Sequence, residues 1–152
     1  MQFKLKWLFL SSAAILLISA VAKICSATMD IKVLSLHDPL LLLTNRQAFW
    51  AAGSAELAVV LYLMVSSSDL RRALLLLQLS MVFILYHFFI WYYGFTEPCP
   101  CLGNVTGWLN LKPRTAHVLT ISILAYLFIT SIYSLMCIKS RSPHGFKSSN
   151  YR

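Results

Sequence analysis

Two long apolar runs joined by a short polar stretch decide the fold, and they read 48-AFWAAGSAELAVVLYLMVSSSDLRRALLLLQLSMVFILYHFFIWYYGF-95. Each run has about the 20 residues that a helix needs to cross the hydrocarbon core of a bilayer. Neither run alternates apolar and polar residues, as the strands of a membrane barrel would. The stretch therefore predicts two membrane-spanning helices, joined as an antiparallel hairpin by the few residues at 67–71.

Comparable runs lie on both sides of this hairpin. The first, 7–22, is short, but Lys23 can extend it by reaching to the membrane surface with its ammonium group. The last covers 115–138. We therefore predict an all-α fold, a single domain over 1–138 in which four transmembrane helices form a bundle. The predicted helices are 7–25, 48–66, 72–95 and 114–138.

The composition supports a membrane protein and excludes two other classes. Apolar residues make up 59% of the 152 residues and charged residues 12%, against roughly 45–50% and 25% in soluble domains. The mean hydropathy is +0.71 and the net charge is +8. A nucleic-acid-binding protein can be as basic as this but is not as apolar, so no nucleic-acid partner is predicted. The predicted partner is the lipid bilayer.

The first run has an alternative interpretation. Basic residues, an apolar stretch and then Ala20-Val21-Ala22 also match a cleavable signal peptide, which would leave three spans in the mature protein. In both interpretations the segment directs the chain that follows it to the exterior.

The distribution of basic residues predicts the orientation. With both termini in the cytoplasm, eight of the 13 Lys and Arg lie on the cytoplasmic side, which the positive-inside rule favours. The basic tail, 139–152, is then cytoplasmic and is predicted to be disordered. The eight residues are Lys4, Lys6, Arg71, Arg72, Lys139, Arg141, Lys147 and Arg152.

Three cysteines fall on the predicted exterior side. Cys99 and Cys101 flank a single proline in the loop before the last helix, and Cys25 lies at the end of the first helix. An exterior compartment is oxidising, so a disulfide is the expected state. A bridge across Cys99-Pro100-Cys101 closes a very small ring, whose strain makes it easy to reduce and suited to thiol/disulfide exchange. Cys137, alone at the opposite end, is predicted to be a packing residue.

Two other uses of these cysteines stay open. Cys25 can bridge structurally to one of the pair and fasten the first helix to the second exterior loop. The pair, together with His37, His117 and Met29, also offers soft ligands of the kind that Cu(I) prefers. Two cysteines at this spacing are a weak metal signal, so we predict no metal site.

Glu56 is the other informative residue, because it lies about eight residues into the second predicted helix, roughly 12 Å deep. A charged residue at such depth costs about 2.5–3.5 kcal/mol on insertion scales, so it needs a partner or a proton. His87 reaches a similar depth on the third helix, and the long side chain of Lys23 starts nearer the surface. We predict either a site for proton relay or quinone binding at Glu56, His87 and Lys23, or a polar contact that orients the helices. The small residues 51–55 favour a closely packed neighbouring helix.

These residues together resemble the MauE/DoxX family of redox-associated bacterial membrane proteins. The resemblance rests on the short motifs Ala22-Lys23, Asp38-Pro39, Arg46, Ala55-Glu56-Leu57 and Cys99-Pro100-Cys101-Leu102-Gly103. Family members often have Phe where this chain has Leu102. The resemblance implies a four-helix bundle in the bacterial inner membrane. MauE-like members are linked to disulfide formation or to the maturation of periplasmic enzymes, and DoxX-like members to quinone-linked sulfur oxidation.

The predicted function is thiol/disulfide exchange at Cys99 and Cys101 with a periplasmic protein, with Cys25 as a candidate resolving thiol. Quinone is the candidate cofactor, and Glu56 and His87 would then handle protons. Two alternatives are a non-catalytic assembly or scaffold subunit with a structural disulfide, and the membrane subunit of a quinone-linked sulfur oxidoreductase. The residues leave open whether the protein is itself an enzyme.

Overall fold

The computed structural model describes residues 2–29, 32–35, 43–93 and 113–140. These residues form four α-helices and a single turn of 3₁₀ helix at Lys32–Ser35, with no strand among them. The helices, in chain order, are α1 (Gln2–Thr28), α2 (Asn45–Val65), α3 (Asp69–Tyr92) and α4 (Pro113–Ser140).

All four helices are long and apolar enough to cross a membrane. Many large apolar side chains on them are exposed, such as Ile18 at 71% and Val65 at 86%, and in a bilayer these side chains face lipid. The predicted all-α bundle of four transmembrane helices is therefore confirmed. The protein is a multi-pass membrane protein.

The helix limits differ from the prediction by five residues at the start of α1, and by three residues at the starts of α2 and α3 and at the ends of α1 and α3. The second helix begins at Asn45 rather than at residue 48, because Thr44 and Gln47 form a capping box. The Thr44 hydroxyl accepts from the Gln47 N–H (3.4 Å), and the Gln47 side-chain oxygen accepts from the Thr44 N–H (3.1 Å). A search for uncharged runs cannot see such a polar first turn, so the prediction was too short there.

The helices alternate in direction. We call the end of the bundle that holds Thr28, Asn45, Tyr92 and Pro113 the upper end, and the opposite end the lower end. The main apolar core lies in the lower half, where α1 brings buried side chains against those of the other three helices. This core includes Leu5, Phe9, Val60, Leu63, Leu76 and Leu127. Since α1 supplies much of it, α1 is a full member of the bundle.

The helices pack as two pairs, α1 with α2 and α3 with α4, and contacts between the pairs are sparser. Gly53 is a point of close approach between α1 and α2 in the first pair. A β-carbon on Gly53 would come within 2.9 Å of Ile24 Cγ1 and 3.3 Å of the Ala20 carbonyl oxygen. The small-residue segment 51–55 thus allows the close packing that the sequence predicts, and α1 is the helix that packs against it.

Candidate functional site

A buried ion pair joins α1 to α2. The ammonium group of Lys23 donates to Oε1 of Glu56 across 2.6 Å. Glu56 is 2% exposed and Lys23 7% exposed. Because α2 begins at Asn45, Glu56 lies near the middle of this 21-residue helix, deeper than predicted. A charge at this depth needs a partner, and Lys23 supplies it.

Ser19 completes the polar cluster. It lies one helical turn before Lys23 on α1, so both side chains point the same way. The Lys23 ammonium donates to Ser19 Oγ (2.6 Å), and the Ser19 hydroxyl donates to Glu56 Oε1 (3.3 Å). From α3, the ring of Phe83 lies 5.5 Å from the same ammonium nitrogen, within cation–π range. The cluster therefore concentrates its hydrogen bonds on one carboxylate oxygen.

The second carboxylate oxygen, Glu56 Oε2, is buried and has no hydrogen-bond partner among the described residues. An ionised carboxylate has about four acceptor positions, and buried ones are normally filled. Oε2 is therefore an acceptor available to a molecule that reaches the site.

A cavity of about 280 Å³ lies beside this carboxylate, and we call it the central cavity. All four helices line it, mostly with apolar side chains. A mainly apolar wall with a few convergent polar groups is typical of a site for a small organic molecule. The polar residues of the lining are Ser19, Lys23, Asn45, Glu56, Tyr86, His87 and Thr120.

His87 lines the central cavity from α3. The ion pair of Lys23 and Glu56 lines the same cavity from α1 and α2. The Nδ1 atom of His87 lies 3.0 Å from the carbonyl oxygen of Phe83, one turn earlier. The ring packs edge-on against Tyr86, with the ring centroids 6.0 Å apart. The structure thus brings Glu56, Lys23 and His87 around one cavity. Their role in proton relay or quinone binding stays a prediction.

Residues 1–138 match the model of the family described as methylamine utilisation protein MauE. The chain belongs to the MauE family. The match runs from α1 to near the end of α4 and includes the loop with the paired cysteines. No curated protein and no solved structure matches the chain. The MauE part of the resemblance is confirmed, and the link to DoxX stays a prediction.

In this MauE family protein, Cys25 is exposed at the upper end of α1, two residues beyond Lys23, and has no disulfide partner among the residues that the structure describes. Cys99 and Cys101 lie outside the described residues, in the segment that connects Tyr93 to Pro113. Both of those helix ends are at the upper end, the same end as Cys25. Cys137 is half-buried in the lower part of α4. The predicted exchange at Cys99 and Cys101 and the resolving role of Cys25 stay predictions.

Among the described residues, no group of three or more His, Cys, Asp or Glu could hold a metal ion. His37 and the side chain of His117, considered above as copper ligands with Met29, lie outside the described part of the chain.

Two groups of residues in the site were not predicted from the sequence. Ser19 was not singled out, although its spacing of four residues from Lys23 on one predicted helix is a signal that could have found it. Tyr86 and the apolar cavity-lining residues of α3 carry no such signal. A tyrosine or phenylalanine in an apolar span is usually a packing or lipid-facing residue.

Proposed function

We propose that this MauE family protein is a membrane thiol/disulfide redox protein that oxidises a periplasmic partner at Cys99 and Cys101 and uses a quinone as electron acceptor. One observation carries the proposal, namely the buried Lys23–Glu56 pair at the wall of an apolar cavity. Because the family description names methylamine utilisation, the partner that we propose is a periplasmic protein used in that process.

The residues of the central cavity fit the ring of a quinone. Such a ring is apolar on both faces and has two oxygen atoms that accept hydrogen bonds, or donate them once reduced. The Lys23 ammonium can donate to one of these oxygens, and Glu56 Oε2 can accept from a hydroxyl. His87 lines the same cavity and can donate or accept, depending on its protonation. Lys23, Glu56 and His87 would thus hold the ring.

The cysteines carry out the exchange. A thiolate of the partner attacks the Cys99–Cys101 disulfide and forms a mixed disulfide, which the partner's second thiolate then resolves. The partner leaves with a disulfide, and Cys99 and Cys101 are left as two thiols. A quinone, when bound, would be the two-electron oxidant, because it can accept the two electrons and two protons released when Cys99 and Cys101 form their disulfide again. Cys25, at the same end of the bundle, is the candidate resolving thiol where the partner's second thiolate does not react: its thiolate would attack Cys99 in the mixed disulfide, form a Cys25–Cys99 disulfide and release the partner as a thiolate.

A trapping experiment tests the exchange. In Cys101→Ser, the Cys99 thiolate should attack the disulfide of the oxidised partner, expel one partner thiolate and stay joined to the partner in a mixed disulfide, because no Cys101 thiol is present to displace it. The adduct is visible as a gel band that disappears on reduction. The matched control is Cys137→Ser, which removes a thiol at the lower end and should trap nothing. The Cys99/Cys101 couple should have a midpoint potential of about −120 to −230 mV. A potential below about −300 mV with no trapped partner would contradict the proposal, because those are the properties of a structural disulfide.

The second candidate is a scaffold subunit, favoured by the tight contact between α1 and α2. Gly53 admits α1 closely, and the Lys23–Glu56 pair holds the two helices in one register. Under this proposal a disulfide from Cys25 to the second exterior loop would fasten α1. It would close a loop of about 70 residues or more, so losing it should cost several kcal/mol of stability, and no partner should be trapped.

A further inference from the structure

The described residues that line the central cavity differ in exposure according to the helix on which they lie. Among them, Ala51 and Ala55 on α2 and Val82 on α3 are exposed. The lining residues of α1 and α4 are buried or half-buried. We propose that the cavity opens sideways into the bilayer between α2 and α3, and that its ligand enters from the lipid and leaves a hydrocarbon tail in this opening. We call Ala51, Ala55 and Val82 the side window.

The helix packing leaves both seams between the helix pairs sparse, α1–α4 as well as α2–α3, and of the two the α2–α3 seam is the one whose described cavity-lining residues are exposed. Although only Ser66–Ser68 join α2 to α3, α2 packs mainly on α1, and α3 packs mainly on α4. The apolar core closes the lower half of the bundle, so a gap between α2 and α3 remains beside the cavity. The α2 side of the gap carries alanines, which fill little of the space.

Glu56 indicates what the window admits. Glu56 lines the same cavity, and its Oε2 is buried and without a hydrogen-bond partner among the described residues. If only lipid chains filled the cavity, this oxygen would be a buried acceptor with no hydrogen-bond donor, which is unfavourable. A ligand with a polar group for Glu56 and an apolar remainder removes that cost. The ligand class is therefore amphiphilic, with its polar part innermost.

The size of the cavity indicates where the apolar remainder lies. A volume of about 280 Å³ is at the small end of ligand sites, which run from roughly 300 to 1,000 Å³. It can accept a ring but not a long hydrocarbon chain beside it. Such a chain has to leave through the side window, where lipid surrounds it. This inference rests on the proposed function for the identity of the ring as a quinone.

Binding measurements on the purified full-length protein in lipid nanodiscs test the window. Two probes share one benzoquinone ring and differ only in carrying a decyl or a methyl substituent. Ala51→Phe and Ala55→Phe, made separately, place an aromatic ring in the opening. We expect each to weaken binding of the decyl quinone about tenfold and of the methyl quinone less than about threefold. Val82→Ala, which widens the opening, should not weaken either.

Ala58→Phe is the matched control, because Ala58 is exposed on the same helix and does not line the cavity. It should change neither dissociation constant. Equal losses for the two quinones, no loss for either in the window variants, or a loss in the control as large as theirs would overturn the side window. If the wild-type protein binds the decyl quinone through the window but Cys101→Ser traps no partner, only the proposed exchange fails. If it binds neither quinone, both proposals are wrong.

Discussion

The Lys23 ammonium and the Glu56 carboxylate lie 2.6 Å apart in the interior of the bundle, and both residues also line the central cavity. This ion pair thus joins α1 to α2 away from water. Such a pair affects both stability and ligand binding, and the two effects can be measured separately.

Breaking the pair on one side should destabilise the protein strongly. Lys23→Met and Glu56→Leu each leave a buried group without its charged partner, at an expected cost of about 3–5 kcal/mol. The double variant Lys23→Met/Glu56→Leu replaces both groups by apolar ones and should recover most of the loss. Reversible unfolding in detergent micelles gives the three free energies. Losses that simply add in the double variant would contradict a direct coupling of the pair.

Gly53 should tolerate no larger side chain. In Gly53→Ala the new β-carbon would lie 2.9 Å from Ile24 Cγ1, so the helices must move apart, at a cost of about 1–3 kcal/mol. Ser54→Ala is the control on the neighbouring exposed position, and its unfolding free energy should change by less than about 0.5 kcal/mol.

A second variant shows whether contact with Ile24 causes this loss. Ile24→Ala removes the Cγ1 atom, so the combination Gly53→Ala/Ile24→Ala should lose less than the two single changes together. If the double variant loses as much stability as the two single variants together, or more, Gly53 acts in some other way, for instance through contact with the Ala20 carbonyl.

The capping box of α2 should contribute about 1 kcal/mol. Thr44→Ala removes the hydroxyl that accepts from the Gln47 N–H and should lower the unfolding free energy by that amount. Thr44→Ser keeps the hydroxyl and should retain most of the stability. Equal losses in the two variants would show that the methyl group of Thr44, not its hydroxyl, is what matters.

Thiol labelling tests the predicted orientation. A membrane-impermeant maleimide added to intact cells after mild reduction should label Cys25, which is exposed at the upper end of α1. It should not label Cys137, which lies toward the lower end of α4. Variants that retain only one of the two cysteines make the sites distinct. Labelling of Cys137 but not Cys25 would reverse the orientation, and with it the exterior position of Cys99 and Cys101.

The sequence alone determined that the fold consists of membrane-spanning helices and located four candidate spans, of which the first also matches a signal peptide. A bilayer requires about 20 apolar residues for each span, and charged residues bound the runs in this chain, so four spans could be read directly. It also identified Glu56 as a residue in need of a partner, because an ionisable group so deep in a span is costly. The helix starts were less certain, since a polar cap such as Thr44 lies outside any apolar run.

Only the tertiary structure decided which partner Glu56 takes. Depth along separate helices made both His87 and Lys23 candidates, and depth carries no information about how each helix is turned about its axis. Packing of Gly53 against Ile24 fixes the rotation of α2 on α1, and that rotation directs Glu56 to Lys23. The central cavity and its side window are likewise absent from the sequence pattern. They are spaces left between four helices, and only the packing of those helices determines where such spaces lie.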